Sequence, residues 1–401
     1  MTPEIKQRIE QIRRGEVPER YVKTALGLAP ANWKRYTFGD IYTERKEPGD
    51  ENLPLLMVSI HSGVSDGEVD AAELPKQVKR IEDKSQYKKA VSGDLVFNMM
   101  RAWQGAIGTV RTTGMVSPAY IVAEPNDKAY PLFMDYYSRT PQMINQIDRQ
   151  SYGVTDFRKR LYWDSFAPIG CILPPIAEQR KIAAILTTQD KVIELKEKYL
   201  AEKQRQKKYL MQQLLTGKKR LPGFIKSWKT VELGEIFNYI QPTAYLVKTT
   251  DYDDSYKTPV LTAGKTFILG YTNETEGVFT KVPVVIFDDF TTATKYVDFP
   301  FKVKSSAMKI LTIKDEFSIV FAYEAMQLIK FTLGGHERHW ISKYSCLTID
   351  IPDIEEQTAI AEVLSAADRE IDLLRQDIEQ EKQKKKALMQ LLLTGIVRVK
   401  T

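Results

Sequence analysis

Two cysteines, three histidines and the absence of any long apolar run set the first limits on this 401-residue chain. Cys171 and Cys346 stand alone, with no Cys-x-x-Cys, so neither a disulfide framework nor a thiolate metal cage is indicated. Three histidines are too few to build a metal site without further ligands. No apolar stretch approaches the roughly 18 residues of a membrane span. The opening MTPEIKQRIEQIRR is polar and charged, unlike a secretory leader. The chain therefore reads as cytoplasmic, reduced, metal-free and without a membrane partner.

Catalytic signatures are missing as well. No Gly-x-Gly-x-x-Gly follows a strand pattern, and there is no Gly-x-Ser-x-Gly or Cys/His nucleophile pair. The only Pro-Pro, in Leu173-Pro174-Pro175-Ile176, lacks the Asn/Asp-Pro-Pro-aromatic form that an amino-methyltransferase needs. Ala263-Gly264-Lys265-Thr266 resembles the end of a phosphate loop, but Pro259 stands where its first glycine belongs. Asp288-Asp289 reads as a metal pair, as an acidic pair facing DNA, or as the closure of a β-turn, and no acid-x-Lys strand follows to favour the first.

What is present is a repeat. Residues 173–221 align without a gap on residues 351–399, 178 positions later, and about 20 of the pairs are identical. Pro174/Pro352, Glu178/Glu356, Gln179/Gln357 and a shared LMQ-x-LLTG ending stay in register, which helical composition alone would not enforce. Both copies read as long helices. Pro174 and Pro175 suit a helix start, Glu178 falls in the first turn where the helix dipole favours an acid, and Gly217 and Gly395 suit C-terminal caps. Some 40 residues lie between, or ~60 Å of helix. Apolar residues at Ile182, Leu186, Ile193, Leu200, Leu210 and Leu214 recur as Ile360, Leu364, Ile371, Ile378, Leu388 and Leu392, with the spacings of four and seven that mark a coiled-coil seam.

Charge gives the pair a direction. The overall net charge, +6, is mild, but residues 198–220 carry eight basic residues against the single acid Glu202. Such a run favours a polyanionic partner, and a solvated helix face reads the same way. Residues 176–197 balance to zero and 198–220 sum to +7, whereas 354–375 sum to −4 and 376–398 to +2. An antiparallel pair sets +7 beside −4, and a parallel pair would set +7 beside +2, so antiparallel is expected.

Two mixed regions separate the helices. Each opens alike, with Trp33 before Phe38-Gly39-Asp40-Ile41 and Trp228 before Leu233-Gly234-Glu235-Ile236, and then breaks into short β-type runs punctuated by Pro, Gly and Asn. Beyond the openings the two sequences diverge. The expected class is α+β: two mixed α/β domains separated by two long antiparallel coiled-coil helices, with a pseudo-two-fold internal repeat. The expected boundaries are a lead-in at 1–29 with Ile5, Ile9 and Ile12 on one helix face, domains at 30–172 and 222–350, and helical spacers at 173–221 and 351–401.

This layout, with LPPIAEQRKIAAIL, LMQQLLTG, GDLVFNMMR, SPAYIV, FDDFT and HERHW, resembles the specificity subunits of type I restriction-modification enzymes over essentially the whole chain. The resemblance implies two target-recognition domains on double-stranded DNA, held apart by conserved helices. It also implies partnership with two modification (methyltransferase) subunits and with restriction subunits. This chain would hold no cofactor, and S-adenosylmethionine and the adenine N6 chemistry would belong to the modification subunits. Two different reading heads on one spacer would recognise a split, asymmetric target. A coiled-coil adaptor with protein-binding domains is the alternative, and a nuclease using Asp288 and Asp289 a third reading. Neither accounts for helices that agree while the domains diverge.

Candidate DNA contacts follow from residue type. Arg pairs with guanine, and Asn or Gln with adenine, which singles out Asn98, Arg101, Trp103 and Gln104 in the first domain, although the neighbouring Met99, Met100 and Trp103 also read as core. Arg158, Lys159 and Arg160 suit phosphates or a solvated edge. Ser59, His61 and Ser62 read as the same face or as a polar turn. In the second domain the candidates are Lys265 for phosphate, Thr291, Thr292, Lys295 and Tyr296 after the PVVIF run, and His336, Arg338 and His339 beside two glycines, with Trp340 assigned to the core.

Overall fold

The computed structural model describes residues 2–65, 86–155, 158–262, 266–331 and 339–399. It divides into two compact units, residues 1–195 with 378–401 and residues 196–377. In chain order the first contains α1 (Pro3–Arg13), β1 (Lys34–Thr37), α2 (Phe38–Ile41), β2 (Tyr42–Arg45), β3 (Leu95–Asn98), β4 (Ile107–Thr109), β5 (Tyr120–Pro125), α3 (Pro131–Tyr137), α4 (Pro141–Gln150), α5 (Trp163–Phe166), β6 (Gly170–Leu173) and the first part of α6 (Ile176–Leu214). The second holds the rest of α6, then β7 (Lys229–Glu232), α7 (Leu233–Ile236), β8 (Phe237–Ile240), β9 (Val284–Asp288), β10 (Thr294–Val297), β11 (Met308–Ile313), α8 (Ile319–Met326), β12 (Thr348–Ile351) and most of α9 (Ile354–Leu393), whose end returns to the first unit.

The domains repeat far more completely in fold than in sequence. The main sheet runs β2-β5-β3-β4 in the first unit and β8-β11-β9-β10 in the second, each antiparallel, with separate pairs β1–β6 and β7–β12. The struts agree atom for atom. Gly39 N bonds Ala167 O and Gly234 N bonds Ser345 O, both at 2.8 Å. Each sheet is buried on both faces, one of them against the core that includes the long helices. In the first, Phe166 packs between Phe38 and Phe97, with ring centroids 4.3 and 4.6 Å away. In the second, Phe287 meets Trp340 and Tyr344 at 5.1 and 4.8 Å.

Both long helices form as the sequence indicates, and within each unit their stretches run antiparallel. In the first unit Gln189 donates to Glu381; in the second, Lys196, Lys203 and Lys207 pair with Asp377, Glu370 and Asp368. The Lys203 and Lys207 pairs join the basic part of α6 to the acidic part of α9. Most seam residues are buried, with Leu200, Leu210 and Leu388 half-buried. Ile182 and Leu186 enter the first domain's core together with Leu392 of α9, and Ile360 and Leu364 enter the second domain's core with Leu214 of α6. Each domain therefore sits on the start of one helix and the end of the other.

A buried carboxylate fastens each seat. Glu178, in the first turn of α6, accepts from Trp33 Nε1 at 3.3 Å and from Arg398 Nε and Nη2, both at 2.7 Å. Glu356, in the first turn of α9, accepts from Trp228 Nε1 at 3.2 Å and from Arg220 Nε and Nη2, both at 2.6 Å. Each arginine also lies over its tryptophan ring. The neighbouring glutamines fix the domains: Gln179 Oε1 accepts from Tyr130 N and Gln357 Oε1 from Ser318 N, both at 2.8 Å. Gly217 and Gly395 cap the helices at φ +66° and +71°, the left-handed region open to glycine. A side chain at Gly395 would collide with Pro30 and crowd Trp33.

Bidentate Arg–carboxylate bonds at a site only 1% exposed on the acid side are strong and costly to break on one side. Glu356→Ala should lower the stability of the second unit by about 2–4 kcal/mol, since it leaves a partly buried guanidinium with only the Lys226 carbonyl and an indole N–H without an acceptor. Urea unfolding checks this, and a loss under about 1 kcal/mol, the worth of an ordinary exposed pair, would show the node to be ornamental.

Candidate nucleic-acid interface

In the first domain the β3–β4 connection is a tight turn. Arg101 N bonds Asn98 O, Gln104 N bonds Arg101 O, and Gly105 sits at φ +102°. Asn98 turns its side chain inward to the turn, with Oδ1 accepting from Met100 N at 2.9 Å. Trp103 is half-buried against the core and donates Nε1 to Met100 O. Arg101 and Gln104 are exposed. Of the four candidates on this turn, the structure thus presents Arg101 and Gln104 to solvent and uses Asn98 and Trp103 to shape their support.

The second candidate segment lies against this turn. Leu161 N bonds Met99 O at 2.9 Å, and Lys159 Nζ stands 5.1 Å over the Trp103 ring while pairing with Asp148. Tyr152 and Arg160 exchange backbone bonds, closing a loop from which Arg158 is exposed. Arg160 is half-buried and donates to Lys159 O. Tyr152 and Tyr162 are exposed, with their rings tilted at 38° and centroids 5.8 Å apart. Tyr162 is a candidate that residue type alone does not single out, although an aromatic two positions after three cations is a composition that nucleic-acid stacking contacts favour. The Ser59–Ser62 turn also abuts, since Ile60 O lies 3.3 Å from where a side chain at Gly105 would begin. His61 and Ser62 are exposed there.

The second domain repeats the arrangement with different residues. Its β9–β10 turn is closed by its own acids: Asp288 Oδ1 accepts from Phe290 N and Asp288 Oδ2 from Thr291 Oγ1. Asp289, 1% exposed, accepts from Trp340 N at 2.9 Å and pairs with the buried Lys309 at 3.4 Å. Both carboxylates are spent on structure, so the metal and nuclease readings of this pair give way to the turn. Among the described residues no group of three His, Cys, Asp or Glu could hold a metal ion. Thr291 is exposed with its hydroxyl engaged, Thr292 takes the left-handed φ of +57°, and Lys295 is exposed on β10. Tyr296 packs on Tyr323 at 5.9 Å. Lys265, His336 and Arg338 lie outside the described residues.

His339 corrects one expectation. Its sequence context puts it on the DNA-facing surface, but it is 0% exposed. Its backbone N bonds Asp289 O at 3.0 Å, the counterpart of Leu161 on Met99 in the first domain. That strut draws it inside beside Phe331, in the position that leucine holds there. Trp340 is core as expected, at 2%. Neither ring nitrogen of His339 has a hydrogen-bond partner among the described residues. A buried polar atom left unpaired costs about 1–3 kcal/mol. His339→Leu, which installs the first domain's residue, should therefore raise the thermal midpoint of the second unit by a few degrees, and a lowered midpoint in calorimetry would refute the strain.

Comparisons with known proteins point the same way. Residues 225–383 match the family model described as a type I restriction modification DNA specificity domain. Over 140 residues the chain is 55% identical to the specificity subunit of an Escherichia coli type I restriction enzyme, a match covering 33% of this chain and 34% of that one, about a third of the relative's length. A putative type I restriction enzyme specificity subunit of Methanocaldococcus jannaschii is 24% identical across 96% of this chain and 98% of its own. In fold, the S subunit of a type I restriction-modification system from M. genitalium matches with a TM-score of 0.61 and 12% identity, over 92% of this chain and 97% of that one.

Proposed function

We propose that this chain, which is similar to type I restriction-modification specificity subunits, reads DNA for a larger complex and carries out no chemistry itself. One observation supports this most: the same scaffold is built twice on equivalent helix seats, and the exposed turns differ. The β3–β4 turn carries Arg101 and Gln104, and the β9–β10 turn carries Thr291 with Lys295 just beyond it. Constant scaffolds with variable turns are what two readers of different half-sites require. Each domain takes one half-site, the helices set the length of the unread spacer, and the target is split and asymmetric.

In this reading the helices dock two modification subunits, which supply S-adenosylmethionine and the methyl transfer, and restriction subunits complete the assembly. Arg158 holds phosphate and sets register, while Arg101 and Gln104 reach base edges.

Assembled with its modification subunits, the chain should protect one split duplex sequence from nuclease digestion, with affinity falling linearly in log salt; equal protection of unrelated duplexes would refute sequence reading. Arg101→Ala should cost about 1–3 kcal/mol at the half-site read by the first domain. The same variant should leave the other half-site's footprint intact. A uniform loss at both would mean that Arg101 acts through folding.

A further inference from the structure

A second node is built twice on the helices, with one member changed. Asp190 and Lys207 of α6 recur as Asp368 and Lys385 of α9, the same 178-residue step as the rest of the repeat. Antiparallel pairing crosses them. Asp190 meets Lys385 at 2.5 Å in the first unit, and Asp368 meets Lys207 at 2.6 Å in the second. One side chain from each recognition domain reaches into its pair. It comes six residues beyond the amide that binds the seat glutamine, and it is Tyr136 on α3 in one unit and Glu324 on α8 in the other.

The chemistry of the two nodes differs. Tyr136 OH donates to Asp190 Oδ2 at 2.6 Å, and Lys385 stands 5.5 Å from its ring. Thr187 also touches the phenol, and Arg111 is the remaining charge that acts on it. The first node is thus one neutral donor, one carboxylate and one ammonium. Glu324 instead accepts from Lys207 at 2.9 Å, only 4% exposed, and its Oε2 has no hydrogen-bond partner. The groups that face it are Lys207 from α6, Asp368 from α9 and Tyr323 on its own helix. Two carboxylates share a single lysine.

We propose that Lys385 and Lys207 are positioning residues that seat the two recognition domains on the helix pair for DNA reading, and that the second seat alone depends on pH. This rests on the reading of both domains as DNA readers. Burial pushes the Glu324 carboxyl up, Lys207 pulls it down, and the nearby Asp368 adds to the rise, leaving it above the ordinary glutamate value. Burial opposes the charge on Lys207, but its bonds to Asp368 and Glu324 outweigh that and raise its pKa, so it stays charged.

The sign follows. A carboxyl whose folded pKa is raised contributes stability that is complete below its unfolded pKa and lost as pH rises through the folded value. In its acid form Glu324 becomes a neutral O–H donor beside Asp368, which is the role Tyr136 plays beside Asp190. Protonation of Glu324 therefore turns the second seat into the chemistry of the first.

Thermal unfolding of the full chain between pH 5 and 8 tests this with three variants. Glu324→Gln, a neutral donor at every pH, should raise the midpoint of the second unit by about 2–4 °C at pH 8, with the gain vanishing as pH falls. Lys207→Met, which leaves two carboxylates facing each other, should lose most at pH 8 and recover toward pH 5. Lys385→Met should show a loss that is flat with pH. Matching profiles for the two lysine variants, or a Glu324→Gln profile parallel to the parent's, would overturn the proposal. In the complex with modification subunits, Lys207→Met should weaken the footprint of the second half-site alone, more at pH 8 than at pH 6. A footprint loss equal at both half-sites or at both pH values would also overturn it. A parent complex that protects no DNA would refute the reading of the domains and leave the unfolding profiles to judge the seat.

Discussion

A carboxylate buried in the first turn of a long helix is the constraint on which each unit depends. Glu178 and Glu356 are 1% exposed, a position where an ion is tolerated only if every lone pair is engaged. Each satisfies that demand with one indole N–H and two guanidinium N–H groups. The indole comes from the residue that leads into the domain's first strand, and the guanidinium from just past the capping glycine of the other helix. Helix start, helix end and domain entrance are thereby bound to one point. The coiled-coil seam alone would let the helices slide by a turn; a bidentate arginine on a buried acid does not.

The same node closes very different loops. In the second unit Arg220 and Trp228 lie close in the chain, and only Glu356 is remote, 136 residues from the arginine. In the first, Trp33 is 145 residues before Glu178, and Arg398 is 220 residues after it. Tyr21 and Arg8 add bonds to the carbonyls of Gly395 and Ile396, so the beginning and end of the chain are knitted into one unit. Loop closure depends only weakly on length, which is why identical chemistry serves both. The order of assembly differs, however. The second unit closes with α9 as far as Asp377, whereas the first also takes in residues 378–401.

The helices were legible because their determinants are local and periodic: the apolar spacing, the first-turn acids, the capping glycines and the halves of opposite charge. Antiparallel direction followed from charge sums, and Lys203–Glu370 and Lys207–Asp368 are the pairs that realise it. The equivalence of the two sheets was not legible, because a sheet scaffold is specified by backbone bonds that any residue can make. Met99 and Asp289 accept the same strut, and Leu161 and His339 donate it. Asn98 and Trp103 carried the right chemistry for DNA but point back into their own turn. His339 misled because a Gly-Gly-His-Glu-Arg-His run has the composition of a solvated loop, and only the bond to Asp289 O reveals that its last histidine faces inward.

Such a division between constant and variable parts has a physical consequence for how the domains can diverge. The nodes that hold a domain use Trp, Gln, Glu and Arg side chains from the seat, together with backbone amides from the domain: Gln179 reads the Tyr130 amide and Gln357 the Ser318 amide. A seat that grips backbone does not constrain the side chains of the turns above it, so those turns are free to change. Domain side chains also enter the seat: the entrance tryptophans bond the seat carboxylates, and Tyr136 or Glu324 reaches a helix ion pair. There the difference between the domains reaches down into the seat itself, and it replaces a neutral donor with a second buried charge. The seat therefore feels divergence where a domain side chain enters a low-dielectric pair. At that point a change in chemistry also changes how firmly the domain is held.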